Sequence, residues 1–251
     1  MIHFIGAGPG GADLITVRGA RLLGETDCII YAGSLVNPAL LDYKKEGCAV
    51  YDSAGMTMEE VIAVMAENEK NGKDTVRLHT GDPCLYGAIR EQMDQLDELG
   101  IPYDVTPGVS SFSGAAAALE AEYTLPDVSQ SVIITRMAGR TPVPEREKLS
   151  KMASHGCTMV LFLSTGLLEE VEKELMEGGY APDTPAAIVY KATWPEQAVY
   201  RCTVSTLAAT AKEHNVTKTA LITVGGFLGD QYDRSKLYDP AFTHGYREAS
   251  K

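Results

Sequence analysis

Three stretches carry residue types and spacings suited to chemistry. Gly6-Ala-Gly-Pro-Gly-Gly11 follows a short apolar run and supplies free backbone N–H groups, the raw material of a nucleotide or anion cradle. Thr80-Gly-Asp-Pro-Cys-Leu-Tyr-Gly87 adds one carboxylate, Asp82, able to accept hydrogen bonds from ribose hydroxyls or an ammonium. An Asp-Pro turn whose aspartate satisfies its own backbone accounts for the same residues. Arg136, Arg140 and Arg146 crowd a single loop, with Arg18 and Arg21 elsewhere. They either clamp carboxylates in two-pronged contacts or form a solvated face. The chain shows no Ser/His/Asp triad, no thiol nucleophile and no paired carboxylates at a defined spacing. Such a set points to catalysis by positioning two bound molecules rather than through a covalent intermediate.

Composition narrows the partners. The 251 residues suit one to two domains, with 45% apolar and 22% charged residues and a net charge of −12. That balance argues against a broad nucleic-acid or membrane surface, yet a local arginine cluster can still take an anionic small molecule. Cys28, Cys48, Cys84, Cys157 and Cys202 are scattered and form no CxxC pair, so reduced thiols are expected. The histidines show no metal-ligand spacing, and no protein-bound metal is expected. No apolar run approaches the roughly 20 residues of a membrane span, and no signal-peptide pattern opens the chain. The expectation is a soluble cytoplasmic protein.

The elements that hold these stretches can be read in order. Ile2–Ile5 is a short strand ending in the glycine run. The best helix start is Thr16, so about ten loop residues intervene. In a dinucleotide fold the helix begins inside the glycine motif and an acidic residue ends the second strand. Here the second strand, Cys28–Tyr31, ends in Ala32-Gly33-Ser34, so GxGxxG alone does not carry NAD or FAD. Thr57-Met-Glu-Glu60 is a capping box, and its helix stops at Asn71-Gly72. Strand Thr75–His79 feeds the GDP loop, a helix follows to Gly100, and Ile101–Thr106 is a fourth strand. Four strands alternating with helices predict a parallel sheet, with loops 6–11, 32–37 and 80–87 all at carboxyl ends.

The chain changes character in the stretch 106–145. Pro107-Gly108 stops the fourth strand, and a small-residue helix, Ser110–Ala121, leaves its backbone open to close approach. Beyond it, strands at 131–135, 158–164, 186–193, 199–204 and 220–225 have few helices between them. Those at 186–193 and 199–204 adjoin across Trp194-Pro-Glu-Gln as a hairpin. A mixed sheet and a second domain are expected, giving domains at 1–112 and 113–229 and a polar surface tail at 230–251.

The segments GAGPGGADLITVRGARLL, YAGSLVN, GDPCLYGA, PGVSSFSGAAAALEAEYTLPDVSQSVIITR, GRTPVPE, YKATWPEQ and TALITVGG resemble, in order, the tetrapyrrole methylases. These are the class III S-adenosylmethionine-dependent methyltransferases, and the likeness covers about residues 2–226. GxGPG and GDPxxxG are shared widely in the family. YAGSLVN and LPDVSQSVIITRxxGRTPVPE resemble the branch that methylates C11 of precorrin-4 or cobalt-precorrin-4 in cobalamin biosynthesis. The resemblance implies two α/β domains, the first mainly parallel and the second mixed, with S-adenosyl-L-methionine in a cleft between them. It further implies a homodimer. Donor contacts map to Pro9, Thr80, Gly81, Asp82, Leu85, Ser110, Ser111, Leu163, Ala192, Thr219, Ala220 and Leu221. Tyr31, Ser34, Asn37, Arg136, Arg140 and Glu145 are assigned to a tetrapyrrole trough.

The general base has no motif of its own, and Glu145 and Asp104 are its candidates. Relatives acting on uroporphyrinogen carry an aspartate after the second strand, where this chain has Ala32-Gly33-Ser34. That role cannot be carried over. Other readings are a class III methylase for uroporphyrinogen III, another precorrin position or diphthine, a nucleotide-binding oxidoreductase, and a non-catalytic tetrapyrrole carrier.

Overall fold

The computed structural model describes residues 1–33 and 35–250; Ser34, one of the expected trough residues, lies outside the described residues. The chain divides into two compact units, Met1–Ala115 with Lys191–Gln197, and Ala116–Tyr190 with Ala198–Lys251.

In the first unit the strands are β1 (Ile2–Gly6), β2 (Cys28–Tyr31), β3 (Ala49–Asp52), β4 (Thr75–His79) and β5 (Tyr103–Thr106). They lie in the order β3-β2-β4-β1-β5, all parallel. The apolar runs of β1, β2 and β4 are buried on both faces, as a parallel sheet covered by helices requires. Helix α1 (Val17–Glu25) covers one face, where Leu23 packs with Ile5, Ile29, Val76 and Leu78. Helices α2 (Met58–Lys70) and α3 (Ile89–Glu98) cover the other, where Val61, Ile62, Met65 and Leu96 meet Ile2, Phe4, Cys28 and Ile30. Both expected helix starts are capped: Thr16 accepts from the Gly19 N–H, and Thr57 with Glu60 closes a complete capping box. Strand β3 was not anticipated. It is four exposed residues at the sheet edge, too short and too uncovered to show a hydrophobic pattern.

This topology sets where a ligand can enter. Neighbouring strands β1 and β4 feed helices on opposite faces, α1 on one and α3 on the other. In an open parallel sheet such a switch point, outside the carboxyl ends of the strands, is where ligands bind. Helix α4 (Ser111–Leu119) begins just beyond β5, at the same end of the sheet.

The second unit has strands β6 (Val132–Arg136), β7 (Thr158–Phe162), β8 (Pro185–Tyr190), β9 (Ala198–Thr203) and β10 (Ala220–Val224), in the order β6-β7-β10-β8-β9. Only the β6–β7 pair is parallel, so the sheet is mixed as expected, and β8 and β9 form the expected antiparallel pair. Helices α5 (Leu149–Ala153), α6 (Leu168–Glu177) and α7 (Leu207–Glu213) bury Leu149, Val171, Leu175 and Leu207 against Met159, Leu161, Ile188 and Ile222. After β10 come two short 3-10 turns, Gly226–Leu228 with Phe227 buried and Lys236–Tyr238, and the chain from 229 to 250 is mostly exposed. Among the described residues, no helix is long and apolar enough to cross a membrane.

Met65 is completely buried between α2 and the sheet, whereas Val17 is 90% exposed. Met65→Ala is expected to cost about 2–5 kcal/mol through lost burial and the cavity left behind. Val17→Ala should be close to neutral. Thermal unfolding of the two variants checks this; equal shifts would show that this core does not limit stability.

Candidate functional site

The three loops at the carboxyl ends of β1, β4 and β5 meet backbone to backbone. The Ala7 N–H donates to the His79 carbonyl at 2.7 Å, and Gly8 and Gly81 exchange hydrogen bonds of 3.2 and 2.8 Å. A Cβ on Gly108 would stand 2.2 Å from the Gly81 carbonyl oxygen, and one on Gly6 would stand 2.5 Å from the Gly108 Cα. Only glycine permits this approach. Ser110 and Ser111 are drawn in as well: a Cβ on Gly81 would lie 3.2 Å from the Ser111 nitrogen and 3.5 Å from the Ser110 Cα. Pro9 lies against Gly114 of α4, so the small residues of that helix partly serve the glycine loop.

Asp82 fastens this cluster. Its Oδ1 accepts from the Cys84 N–H at 2.8 Å and its Oδ2 from the Gly108 N–H at 2.9 Å. Burial works to raise its pKa, but the hydrogen bonds from Cys84 and Gly108 outweigh it and hold the carboxyl below the usual range. Asp82 is therefore ionised and joins the β5 loop to the β4 loop. The Cys84 side chain bonds the carboxylate as well, and since a carboxylate offers about four lone-pair positions, acceptor capacity remains for a ligand. Beside it, the Thr106 hydroxyl at the end of β5 is buried and has no partner among the described residues.

The segment 191–197 closes over the glycine run. The Thr193 hydroxyl accepts from the Gly11 N–H at 2.9 Å, and the Gln197 side chain accepts from the Thr193 N–H at 2.7 Å. Trp194 covers Gly10 so closely that a Cβ there would be 2.1 Å from the indole ring and 2.8 Å from the Ala192 carbonyl. Asn37, expected in the trough, donates to the Gly10 carbonyl at 2.8 Å and accepts from the Ala39 N–H. It thus positions the glycine run. Pro9, Gly81, Asp82, Ser110, Ser111 and Ala192 are gathered in the first unit. Thr80 and Leu85 belong to the same β4 loop, with the Leu85 N–H on the Asp82 carbonyl at 3.3 Å.

Other expected residues stand apart. Asp104 lies within β5, where it meets His3 of β1 at 2.9 Å, rather than in the strand-end loops. In the second unit, Arg136 spends its guanidinium on the carbonyls of Met137, Thr141 and Pro142. Arg140 is exposed and makes no hydrogen bond or ion pair among the described residues. Glu145 pairs with Lys151 at 2.8 Å, which lowers its pKa and makes it a poorer proton acceptor. Leu163 ends β7 in the left-handed region (φ 52°) with 69% of its surface exposed. That conformation costs a non-glycine residue roughly 1–2 kcal/mol. Thr219 is also left-handed, and the neighbouring Ala220 carbonyl accepts from the Thr165 hydroxyl at 3.1 Å. Leu221 is buried in β10. Among the described residues no three His, Cys, Asp or Glu side chains are grouped to hold a metal.

Sequence reasoning passed over Arg77 in β4 and Gln92 in α3. Arg77 donates to the Gln92 Oε1 at 3.2 Å and to the Ser53 hydroxyl at 3.0 Å, and Ser53 donates in turn to the Tyr31 carbonyl at 3.1 Å. Gln92 donates to the Ala88 carbonyl at 3.1 Å. A charged residue in the middle of a largely buried strand was the available signal.

Gly108→Ala should cost about 1–3 kcal/mol by forcing the loops apart, whereas Gly55→Ala, with nothing within 4 Å of its Cβ, should cost far less. Urea unfolding followed by circular dichroism checks this. Equal effects would show that the loop contact is slack.

Residues 1–208 match the family model described as tetrapyrrole (corrin/porphyrin) methylases. A protein of Methanocaldococcus jannaschii named cobalt-precorrin-4 C(11)-methyltransferase is 51% identical over 251 residues, covering 100% of this chain and 97% of the relative. A Sinorhizobium protein named precorrin-4 C(11)-methyltransferase is 44% identical over 248 residues, covering 98% of each chain. An X-ray structure of a cobalamin biosynthetic enzyme, cobalt precorrin-4 methyltransferase, superposes with a TM-score of 0.89 at 48% identity, covering 91% of this chain and 96% of the other. A family model matched over most of the chain, and relatives 44–51% identical over nearly all of it, agree with the two-sheet fold described above: the chain belongs to the tetrapyrrole methylase family.

Proposed function

We propose that the protein transfers the methyl group of S-adenosyl-L-methionine to C11 of precorrin-4 or cobalt-precorrin-4, a step in corrin-ring biosynthesis, releasing S-adenosyl-L-homocysteine. The observation that carries this reading is the strand-end cluster of Gly6, Gly81 and Gly108, with backbones in contact and Asp82 fastened across it. The names of relatives 44–51% identical over nearly the whole chain support the substrate. The donor fits the residues present. Backbone groups offer hydrogen bonds where no side chain intrudes, Asp82 keeps acceptor positions in hand, and the Thr106 hydroxyl lacks a partner. When bound, the donor supplies a methyl group made electrophilic by its sulfonium.

The chain's own part is binding and alignment. Asp82, Thr80 and the backbone of Gly81 to Leu85 hold the donor from the β4 side, Ser110 and Ser111 from the start of α4, and Pro9 and Ala192 from the glycine run and its cover. Leu163, Thr219, Ala220 and Leu221 stay as proposed donor-binding residues. Trp194 and the segment around it keep water from the glycine run, which strengthens each polar contact there. Tyr31, Asn37 and Arg140 are retained as trough residues, and Arg136 and Glu145 as supports of the loop that bears Arg140. Neither Asp104 nor Glu145 has an environment that favours work as a base, one engaged by His3 and the other held ionised by Lys151. Alignment, not proton transfer, is the residues' main contribution. The working assembly on this reading is a cytoplasmic homodimer.

Asp82→Ala removes a charge-assisted acceptor and should weaken S-adenosylhomocysteine binding by about 1.5–3 kcal/mol, roughly ten- to a hundredfold. Isothermal titration measures it; an unchanged Kd removes Asp82 from the site. Arg140→Lys keeps the charge but loses the planar fork, so turnover of a precorrin-4-type substrate should fall while donor affinity holds. Steady-state kinetics with both variants' donor titrations decide. Turnover within about twofold of wild type would make Arg140 a surface residue worth roughly 0–1 kcal/mol.

A further inference from the structure

One half-buried cation in the first unit, Arg77, forms no ion pair among the described residues. Arg77 lies at the middle of β4, and burial alone pushes its guanidinium down to about 10, with no carboxylate contributing. It remains charged at neutral pH. Its Nε and Nη1 donate to Gln92, Ser53 and the Ile30 carbonyl at 3.4 Å, all neutral acceptors. Its Nη2 takes no acceptor among the described residues. The nearby carboxylate of Asp52 is engaged elsewhere, its Oδ1 accepting from the N–H groups of Gly33 and Ala54. Partial burial weakens the hydration of a charge, so an anion brought beside such a group is favoured.

Two further observations place the deficit. His79 is on the same face of β4, two residues on, at its carboxyl end. It is more than nine-tenths buried and its Nε2 also lacks a partner. Burial, with the Arg77 charge beside it, pushes its pKa down to about 3, so it is neutral and adds no charge. Second, the neutral acceptors around Arg77 lead outward to two strand-end loops: Ser53 holds the Tyr31 carbonyl before the YAGSLVN loop, and Gln92 holds the Ala88 carbonyl after the GDP loop. Through Ser53 and Gln92 the guanidinium is thus tied to the residues at the end of β2 and after the GDP loop.

We propose that Arg77 is a substrate-binding residue, its free Nη2 edge receiving one carboxylate arm of the macrocycle between the β2 and β4 loops. This rests on the tetrapyrrole reading above. Bound there, the carboxylate supplies the missing counter-charge. Because Arg77 also braces Tyr31 and Ala88 through Ser53 and Gln92, arrival of the arm is felt by both loops.

The test titrates wild type, Arg77→Met and Arg77→Lys with an eight-carboxylate porphyrin, a two-carboxylate porphyrin and, separately, S-adenosylhomocysteine. Arg77→Met should weaken the eight-carboxylate porphyrin roughly ten- to a hundredfold, Arg77→Lys should fall between, and the two-carboxylate porphyrin should bind less well even to wild type. Homocysteine-donor affinity should stay within about twofold throughout. Porphyrin should also raise the pKa of the His79 ring, followed by NMR, in wild type and not in Arg77→Met; a scaffold residue would not do this. Unchanged porphyrin affinity in both variants, or an equal loss of porphyrin and donor binding, overturns the assignment. Should Arg77→Met fail to fold, Arg77→Lys decides in the same terms. A wild type that takes porphyrin through Arg77 but no S-adenosylhomocysteine would sink the methyltransferase reading while leaving this site standing.

Discussion

The structure of the first unit depends on one contact, the approach of three backbones at Gly6, Gly81 and Gly108. Parallel strands normally end in loops that splay apart, because each feeds a helix of its own. Here β1 and β4 send their helices to opposite faces, and the loops are pulled back together by the Gly8–Gly81 hydrogen bonds and the Asp82 carboxylate. Side chains at any of the three glycines would occupy the space where the backbones touch. A surface made of backbone has a chemical consequence: its hydrogen-bonding groups are fixed in place and cost little to order on binding. Alignment of two small molecules needs that stiffness more than it needs a nucleophile.

Electrostatics divides the work differently. The chain is strongly acidic overall, so its few well-placed cations stand out against a repulsive background for anions. Arg136 is absorbed by its own loop, and Arg146 pairs with the adjacent Glu147 at 3.4 Å. Arg140 and Arg77 keep unspent hydrogen-bonding capacity, one on an exposed loop and one beneath the strand ends. On the proposed reading, acidic side chains of the macrocycle find partners only at such points, which fixes orientation as well as affinity.

Much of this plan was legible in the residues. The period of the apolar runs identified the central strands, and the capping signals at Thr16 and Thr57 gave both helix starts. The misplaced first helix correctly weakened the dinucleotide reading, since α1 begins well beyond the glycine run. What escaped had physical reasons. Strand β3 is exposed along its length, so burial left no mark on its sequence. The segment Lys191–Gln197 read as a hairpin turn, yet it is compact with the first unit, because Trp194 covers Gly10 and Thr193 bonds Gly11. No local pattern encodes a contact across more than 180 residues. The arginine loop read as a clamp, but spacing could not reveal that Arg136 turns inward onto carbonyls. Arg77 was hidden inside a strand whose other residues spoke only of burial.

The central claim is that the loop cluster at the carboxyl ends of β1, β4 and β5 receives the methyl donor. It is tested most directly by following the backbone amides and the single indole N–H in a nitrogen-15 NMR titration with S-adenosylhomocysteine. The account predicts saturable shifts concentrated at Gly8, Gly81 to Leu85, Gly108 to Ser111 and the Trp194 indole. Shifts that leave these groups untouched, or the same response to NAD, would contradict it.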